Sequence, residues 1–132
     1  MRKFISISAG GMAGAMLRYL IRNIQLSSDI PLGTLTINVV GSFLLAMILT
    51  LTIDRLKIHD DIKTGLTVGF FGAFTTFSSV CQESVSMLNK GQIWMAFIYI
   101  MLTTVLGMAA AYAGYHLSKR LEACDGSNEE DD

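Results

Sequence analysis

The sequence contains three long stretches without a charged residue, separated by short polar connections. Each is near or above the roughly 20 residues that a helix needs to cross the hydrocarbon core of a membrane. The stretches comprise 22, 19 and 25 residues and extend over Leu32–Ile53, Thr64–Gln82 and Gly91–Tyr115. This pattern predicts membrane-spanning helices.

The first part of the chain is a less regular span, because Arg18 follows the uncharged residues 4–17. A secretory signal peptide has a similar basic start and apolar stretch, but only further membrane spans follow here. We therefore predict an all-α membrane protein with four transmembrane helices in one domain, residues 1–121. The expected spans are about 4–23, 32–53, 63–88 and 91–117.

The composition supports the membrane assignment and argues against other classes. Only 16% of the residues are charged, against about 25% in a soluble domain. Six of the eleven acidic residues lie in 122–132, which has no apolar pattern and is predicted to be a disordered acidic tail. The basic residues flank spans and form no patch for nucleic acid. Cys81 and Cys124 have neither disulfide nor metal-site spacing.

The distribution of Lys and Arg predicts the orientation in the membrane. Four spans place both termini and the 54–63 connection on one side. The opposite side carries three basic residues, Arg18, Arg22 and Lys90. The first side carries seven: Arg2, Lys3, Arg55, Lys57, Lys63, Lys119 and Arg120. We expect a multi-pass protein of the cell membrane with both termini in the cytoplasm.

Small residues recur at helical spacing in several spans. Gly10 and Gly14 form a G-x-x-x-G pair in the first span, and Gly65 and Gly69 form another in the third. Gly107 and Ala111 have the same spacing in the fourth span. Such pairs let helix backbones approach closely in lipid, either within one subunit or between subunits. Four short spans enclose little space, so we also expect oligomerisation.

The segment 69–79 in the third span combines glycines, phenylalanines and hydroxyl side chains. It is too apolar for a surface loop and too polar for a helix that faces lipid. A non-helical backbone at membrane depth is tolerated only where protein buries it or where it lines a water-filled path. The segment therefore indicates a pore or binding site in the third span.

Five further polar residues lie within or at the ends of spans. Asn38 is either a hydrogen-bonding contact between helices or a functional group, because an unpaired amide in lipid is costly. Tyr99 and Thr103 lie one helical turn apart and either anchor the interface or form a polar track. Glu83 is either a helix-end residue near water or functional, and Arg18 either extends to the membrane surface or lies at a pore mouth.

Three segments resemble, in order, the sequence motifs of the Fluc/CrcB family of fluoride channels. They are GGMAGAMLRY at 10–19, GTLTINVVGS at 33–42 and GFFGAFTTFSS at 69–79. The third segment resembles the family's third-helix break, which implies a third helix that is broken near its middle. Together with four spans of suitable length, the three segments relate nearly the whole chain up to residue 120 to that family. The resemblance implies an antiparallel dimer of four-helix subunits, with two fluoride pores along the subunit interface and passive export that confers fluoride resistance.

The resemblance also implies a structural Na⁺ ion that is bound but not transported. In that family, backbone carbonyls at the third-helix break hold the ion at the dimer centre, and the matching residues here are Gly72 and Thr75. Carbonyl oxygens suit a hard cation. The resemblance assigns seven pore residues: Asn38, Phe77, Ser78, Ser79, Tyr99, Thr103 and Arg18. Glu83 matches the acidic residue that follows the phenylalanine pair.

Two features depart from the family pattern. Val80 occupies the position of the second pore phenylalanine, and valine has no ring edge that could face an anion. Gly107 lies at a position where the family often has a hydroxyl side chain that continues the polar track. The excess of basic residues on one side also disfavours insertion of the same chain in both orientations. The alternatives are thus a homodimer or a heterodimer with an inverted paralogue, in which the partner maintains a working pore.

Other function classes fit the sequence less well. A small proton-coupled multidrug exporter needs an acidic residue deep in a span, and the first span has none. A non-transporting assembly subunit is a further alternative. An enzyme is not expected, because there is no nucleophile–base set, phosphate-binding loop or metal-ligand cluster.

Overall fold

The computed structural model describes residues 1–23, 30–54 and 59–126, and these residues form helices and their connections. Four helical segments are long and apolar enough to cross a membrane, which confirms the predicted four-helix fold. The first two are α1 (Arg2–Asn23) and α2 (Leu32–Asp54). The last is α6 (Ile93–Gly126). It extends five residues into the predicted tail, and 127–132 lie outside the described residues.

The third span is interrupted near its middle, as expected. It comprises α3 (Asp60–Thr64), a π-helix (Gly65–Phe71), α4 (Gly72–Phe74) and α5 (Phe77–Asn89). The two residues between α4 and α5 have extended backbones, with ψ of 151° at Thr75 and 119° at Thr76. These two residues therefore divide the span into two halves.

Glycines bring α1 into backbone contact with the first half of the third span. A Cβ atom added to Gly10 would collide with the carbonyl oxygen of Gly65, and one added to Gly14 with that of Phe70. A Cβ atom at Gly69 would collide with the backbone of Ile7 on α1. The two predicted G-x-x-x-G pairs therefore face each other, which is the close approach that small residues allow in lipid.

The helices α2 and α6 pack along each other in a similar way. A Cβ atom added to Gly114 would collide with the carbonyl oxygen of Phe43. One turn further, the buried Ser118 donates a hydrogen bond from Oγ to the carbonyl oxygen of Met47 at 3.0 Å. Gly107, from the predicted small-residue pair, also faces α2, near the hydroxyl of Ser42.

A tight turn connects α5 to α6 and fixes their register. Gly91 has a φ of 75°, a conformation that glycine adopts without strain. The amide of Gly91 donates to the carbonyl oxygen of Leu88, and the amide of Gln92 donates to the carbonyl oxygen of Met87, both at 2.9 Å. This pair of hydrogen bonds is the Schellman motif. The turn places α5 and α6 side by side.

The buried side chains form two clusters, one for each half of the third span. The first cluster lies between α2, α5 and α6 and contains Leu35, Val80, Met87, Ala96 and Tyr99. The second lies between α2 and the first half of the third span and contains Ile37, Phe71 and Phe74. Because α2 contributes to both clusters, it holds the two halves of the interrupted span in place.

We predict that Gly14→Ala destabilises the protein, because the new methyl group would collide with the carbonyl oxygen of Phe70. Overpacking of this kind costs about 1–3 kcal/mol. Gly11→Ala is the matched control. Its new methyl group would lie 3.9 Å from the carbonyl oxygen of Gly69, which is an ordinary van der Waals contact. Thermal unfolding in detergent should give a lower midpoint for Gly14→Ala only; equal midpoints would contradict the proposed helix contact.

Candidate functional site

Asn38 on α2 replaces the hydrogen bonds that the backbone loses at the helix break. Its Nδ2 donates to the carbonyl oxygen of Thr76 at 2.9 Å, and its Oδ1 accepts from the amide of Thr76 at 2.8 Å. This reciprocal pair fixes the orientation of the side-chain amide. Because Nδ2 carries two hydrogens, one N–H remains for another acceptor. Asn38 is therefore an interhelical contact with one N–H that no described residue accepts.

The break also frees the carbonyl groups of Gly72 and Thr75. In a continuous helix the amide of Thr76 would donate to Gly72, but here it donates to Asn38. The amide of Ser79 would donate to Thr75, but it donates to Oγ1 of Thr76 at 3.2 Å. A side chain added at Gly72 would meet nothing within 4 Å, so there is open space beside this residue.

Thr76 caps the N-terminus of α5 and organises the neighbouring hydroxyl groups. Its Oγ1 accepts from the Ser79 amide, which is the usual N-cap interaction. Oγ1 also lies 3.1 Å from Oγ of Ser79 and 3.2 Å from Oγ of Ser78. The predicted pore residues Ser78 and Ser79 are thus connected to the break at the positive end of the α5 dipole.

A cavity of about 220 Å³ opens at the break. It is lined by Asn38, Ser42, Leu45, Thr75, Thr76 and Phe77. No charged side chain is among these residues, and the polar groups are an amide and hydroxyls. Phe77 is 74% exposed, so its ring forms an open edge of the cavity. The structure therefore places the predicted pore residues Asn38 and Phe77 at one neutral site.

A second polar group lies between α2, α5 and α6 and is centred on Glu83. Its Oε1 accepts from the hydroxyl of Thr34 at 2.8 Å, and its Oε2 accepts from the hydroxyl of Tyr99 at 2.7 Å. Arg22 on α1 approaches Oε1 to 3.9 Å. The Glu83 side chain is only 16% exposed and Tyr99 is fully buried. Glu83 therefore links α5 to α2 and α6 through hydrogen bonds. It is not a free carboxylate at a helix end.

Thr103 and Val80 lie near this second group. The hydroxyl oxygen of Thr103 is buried and has no hydrogen-bond partner among the described residues. Val80 is 2% exposed and belongs to the same apolar cluster as Tyr99. The two positions that resemble the phenylalanine pair thus differ in environment: Phe77 is exposed, and Val80 is buried within the subunit.

The structure separates the predicted site residues into two groups and leaves one apart. Arg18 is partly buried on α1 and has no hydrogen bond or ion pair with a described residue.

Three contributing residues were not selected from the sequence: Thr34, Thr76 and Arg22. Thr34 lies one turn before Asn38 on α2, and Thr76 precedes Ser79 at N-cap spacing. These two spacings were the available signals; nothing in the sequence paired Arg22 with Glu83.

Known proteins resemble this chain over most of its length. A family model described as "CrcB-like protein, Camphor Resistance (CrcB)" matches residues 5–115. A protein of Desulfitobacterium hafniense (strain Y51), named "Fluoride-specific ion channel FluC 1", is 36% identical over 112 residues, covering 84% of this chain and 98% of that protein. A protein of Agrobacterium fabrum (strain C58), named "Fluoride-specific ion channel FluC", is 35% identical over 118 residues, covering 87% and 94%. The chain therefore belongs to the CrcB-like family.

Proposed function

We propose that this protein is a fluoride-selective ion channel that releases cytoplasmic fluoride passively and so confers fluoride resistance. The observation that carries the proposal is the neutral cavity at the helix break, where Asn38 and Phe77 meet in the middle of a membrane span. The names of relatives that match nearly their whole length support the same ion. The role is transport and not catalysis.

The cavity suits a small, strongly hydrated anion. The second N–H of Asn38 provides a donor in place of water. The hydroxyl hydrogens of Thr75 and Thr76 are donated to the carbonyl oxygen of Phe71 and to Oγ of Ser79, so these two groups shape the cavity but do not donate to an ion. The ring edge of Phe77 carries positive quadrupole charge and attracts an anion without a formal charge. Because binding must be weak enough for the ion to leave, neutral donors suit conduction better than a lysine or arginine would.

The second polar group continues the path in this proposal. Tyr99 donates its hydroxyl hydrogen to Glu83, so that hydrogen is not available to an anion. The unpartnered hydroxyl of Thr103, one turn away on α6, is the available donor. Glu83 therefore positions Tyr99, and Thr103 interacts with the ion, while Ser78 and Ser79 contribute at the cavity and Arg18 attracts anions near the entrance.

A second, antiparallel subunit completes the site in this proposal. Phe77 is exposed beside the cavity, which therefore needs a further protein wall at membrane depth. The freed carbonyl groups of Gly72 and Thr75 fit a structural Na⁺ ion, and two subunits would supply four of them. When bound, Na⁺ supplies a fixed positive charge that favours a nearby anion.

The partner is either a second copy of this chain or an inverted paralogue. The excess of basic residues on the predicted cytoplasmic side, together with valine at position 80, is the argument for a paralogue. In either case we place the protein in the cell membrane with both termini in the cytoplasm, although Arg55 and Lys57, two of the seven basic residues, lie outside the described residues.

The proposal is tested by fluoride efflux from liposomes that contain this chain alone, with chloride efflux as the selectivity control. We expect fluoride-selective flux if the chain forms a homodimer. If folded protein gives no flux, the same assay with a co-expressed paralogue decides between a heterodimer and another function. Absence of fluoride flux in both preparations would refute the channel, and export of organic cations driven by a proton gradient would identify an exporter.

We predict that Asn38→Asp abolishes fluoride flux. The carboxylate would repel the anion and could not donate to the carbonyl oxygen of Thr76. Thr104→Val is the control, because within the described part of the chain the Thr104 hydroxyl bonds only to the backbone of its own helix, at Ile100. Efflux from liposomes measures both variants, and normal flux with Asn38→Asp would remove Asn38 from the pore lining.

We predict that fluoride efflux requires Na⁺. Replacing Na⁺ with N-methyl-D-glucamine on both sides of the liposome membrane should remove most of the flux, since this cation is too large for a site made of backbone carbonyl groups. Restoring Na⁺ should restore the flux. Undiminished flux without Na⁺ would exclude a required sodium site at Gly72 and Thr75 but would leave the fluoride channel intact.

We predict that Tyr99→Phe destabilises the subunit, because it removes a buried hydrogen bond to the Glu83 carboxylate. Loss of a hydrogen bond to a charged group costs about 1.5–3 kcal/mol. Tyr112→Phe is the matched control on the same helix, since Tyr112 is exposed and its ring packs on His116. Thermal unfolding in detergent compares the two, and equal midpoints would mean that Tyr99 does not stabilise the Glu83 group.

A further inference from the structure

A second cavity, of about 340 Å³, lies where the first and third spans begin. The first span starts at Arg2 and the third at Asp60, so the cavity is at the level of the membrane surface. Its volume is within the range of small-molecule sites, about 300–1,000 Å³. The described residues that line it are Arg2, Ile5, Ser6, His59, Asp61 and Ile62. None of these residues belongs to the cavity at the helix break.

Polar and apolar groups in this second cavity are ordered by depth in the membrane. Arg2 lies in the first turn of α1, and Ile5 follows three residues later, or about 4.5 Å deeper along the helix axis. On the third span, Ile62 follows three residues after His59 in the same way. Both isoleucines are exposed. The cavity thus has charged groups at its outer end and apolar side chains at its inner end, which is the order of a phospholipid from headgroup to acyl chains.

The two charged side chains at the outer end lack close partners of opposite charge. Arg2 is exposed and makes no hydrogen bond or ion pair with a described residue. The Asp61 side chain is only 16% exposed, and among the described residues its carboxylate pairs with Nδ1 of His59 at 3.9 Å. This contact is an ion pair only when the imidazole is protonated. Because a carboxylate removed from water without a close partner is costly, Asp61 can accept an added cation.

We propose that this second cavity binds the headgroup of phosphatidylethanolamine, a phospholipid with a primary ammonium group. The Arg2 guanidinium donates hydrogen bonds to the phosphate, for which its planar fork is suited. The Asp61 carboxylate accepts from the ammonium group, which carries three N–H donors. The acyl chains continue along Ile5 and Ile62 into the membrane. A single lipid thereby joins the start of the first span to the start of the third.

This zwitterionic lipid fits the second cavity better than other common phospholipids. When His59 is neutral, the lining carries one positive charge, on Arg2, and one negative charge, on Asp61. The headgroup of phosphatidylethanolamine has the same two charges, side by side. Phosphatidylglycerol has the phosphate but no cation for Asp61, and the trimethylammonium group of phosphatidylcholine has no N–H to donate. Lipid binding at this site does not depend on which ion the protein transports.

Native mass spectrometry of the full chain, delipidated in detergent, tests the lipid site. The protein is mixed with equal amounts of phosphatidylethanolamine, phosphatidylcholine and phosphatidylglycerol that have identical acyl chains, and the bound lipid of each kind is counted. We expect phosphatidylethanolamine to bind about fivefold more tightly than phosphatidylcholine, or by about 1 kcal/mol, which is the upper end for an exposed ion pair. Equal binding of these two lipids, or tighter binding of phosphatidylglycerol, would overturn the proposal.

Two substitutions, each with a neighbouring control, assign the lipid preference to this cavity. Asp61→Asn should remove the preference for phosphatidylethanolamine over phosphatidylcholine. Asp60→Asn should retain it, because Asp60 is exposed and is not among the residues that line the cavity. Arg2→Gln should weaken the binding of all three lipids, whereas Lys3→Gln, at the exposed residue next to it, should not. A preference that survives Asp61→Asn would place the ethanolamine group elsewhere and contradict the proposal.

A series of methylated lipids tests the same contact without changing the protein, and it decides if Asp61→Asn fails to fold. Methylation of phosphatidylethanolamine removes the ammonium N–H groups one at a time while the phosphate and the charge remain. Affinity for the unaltered chain should fall along the series, and constant affinity would exclude a hydrogen bond from the ammonium group to Asp61. Because lipid counting does not depend on flux, its outcome is distinguishable from failure of the channel function.

Discussion

The paired hydrogen bonds between Asn38 and the backbone of Thr76 are the interaction on which the site depends. A helix that stops within a membrane leaves amide and carbonyl groups without partners, and lipid cannot replace them. Asn38 satisfies both groups of Thr76, and Thr76 in turn caps α5 through its hydroxyl. The extended residues at the break are thereby held in place, and a neutral cavity forms beside them.

The break has consequences for the packing of the whole subunit. The first half of the third span contacts α1 through glycines, whereas the second half packs between α2 and α6 through Val80 and Met87. The helix α2 joins the two halves, because Leu35 belongs to one apolar cluster and Ile37 to the other. Asn38 follows directly on this helix, so the residue that stabilises the break is held by both clusters.

The polar groups of the subunit are arranged so that the cavity at the break has no charged side chain. Glu83 is the carboxylate nearest in sequence to the break, and hydrogen bonds from Thr34 and Tyr99 hold it within the subunit. The positive end of α5 and the second N–H of Asn38 face the cavity instead. A site of this kind attracts an anion by partial charges, which favours rapid release over tight binding.

The sequence alone determined the four spans and the glycine pairs that allow helices to approach closely, and the resemblance of segment 69–79 to a family motif added the break in the third span. These features depend on properties of neighbouring residues: the absence of charge over a span length, the spacing of glycines, and hydroxyl side chains beside glycines in an apolar segment. The residues Asn38 and Phe77 were also selected as neighbours in one pore, although only by resemblance to a family.

The tertiary structure decided which partner each polar side chain has. Asn38 pairs with a residue 38 positions away and Thr34 with one 49 positions away, and Arg22 reaches Glu83 from another helix. It also decided that Phe77 is exposed while Val80 is buried within the subunit. These partners depend on the register and rotation of packed helices, which follow from many weak contacts along their length and have no local signature in the sequence.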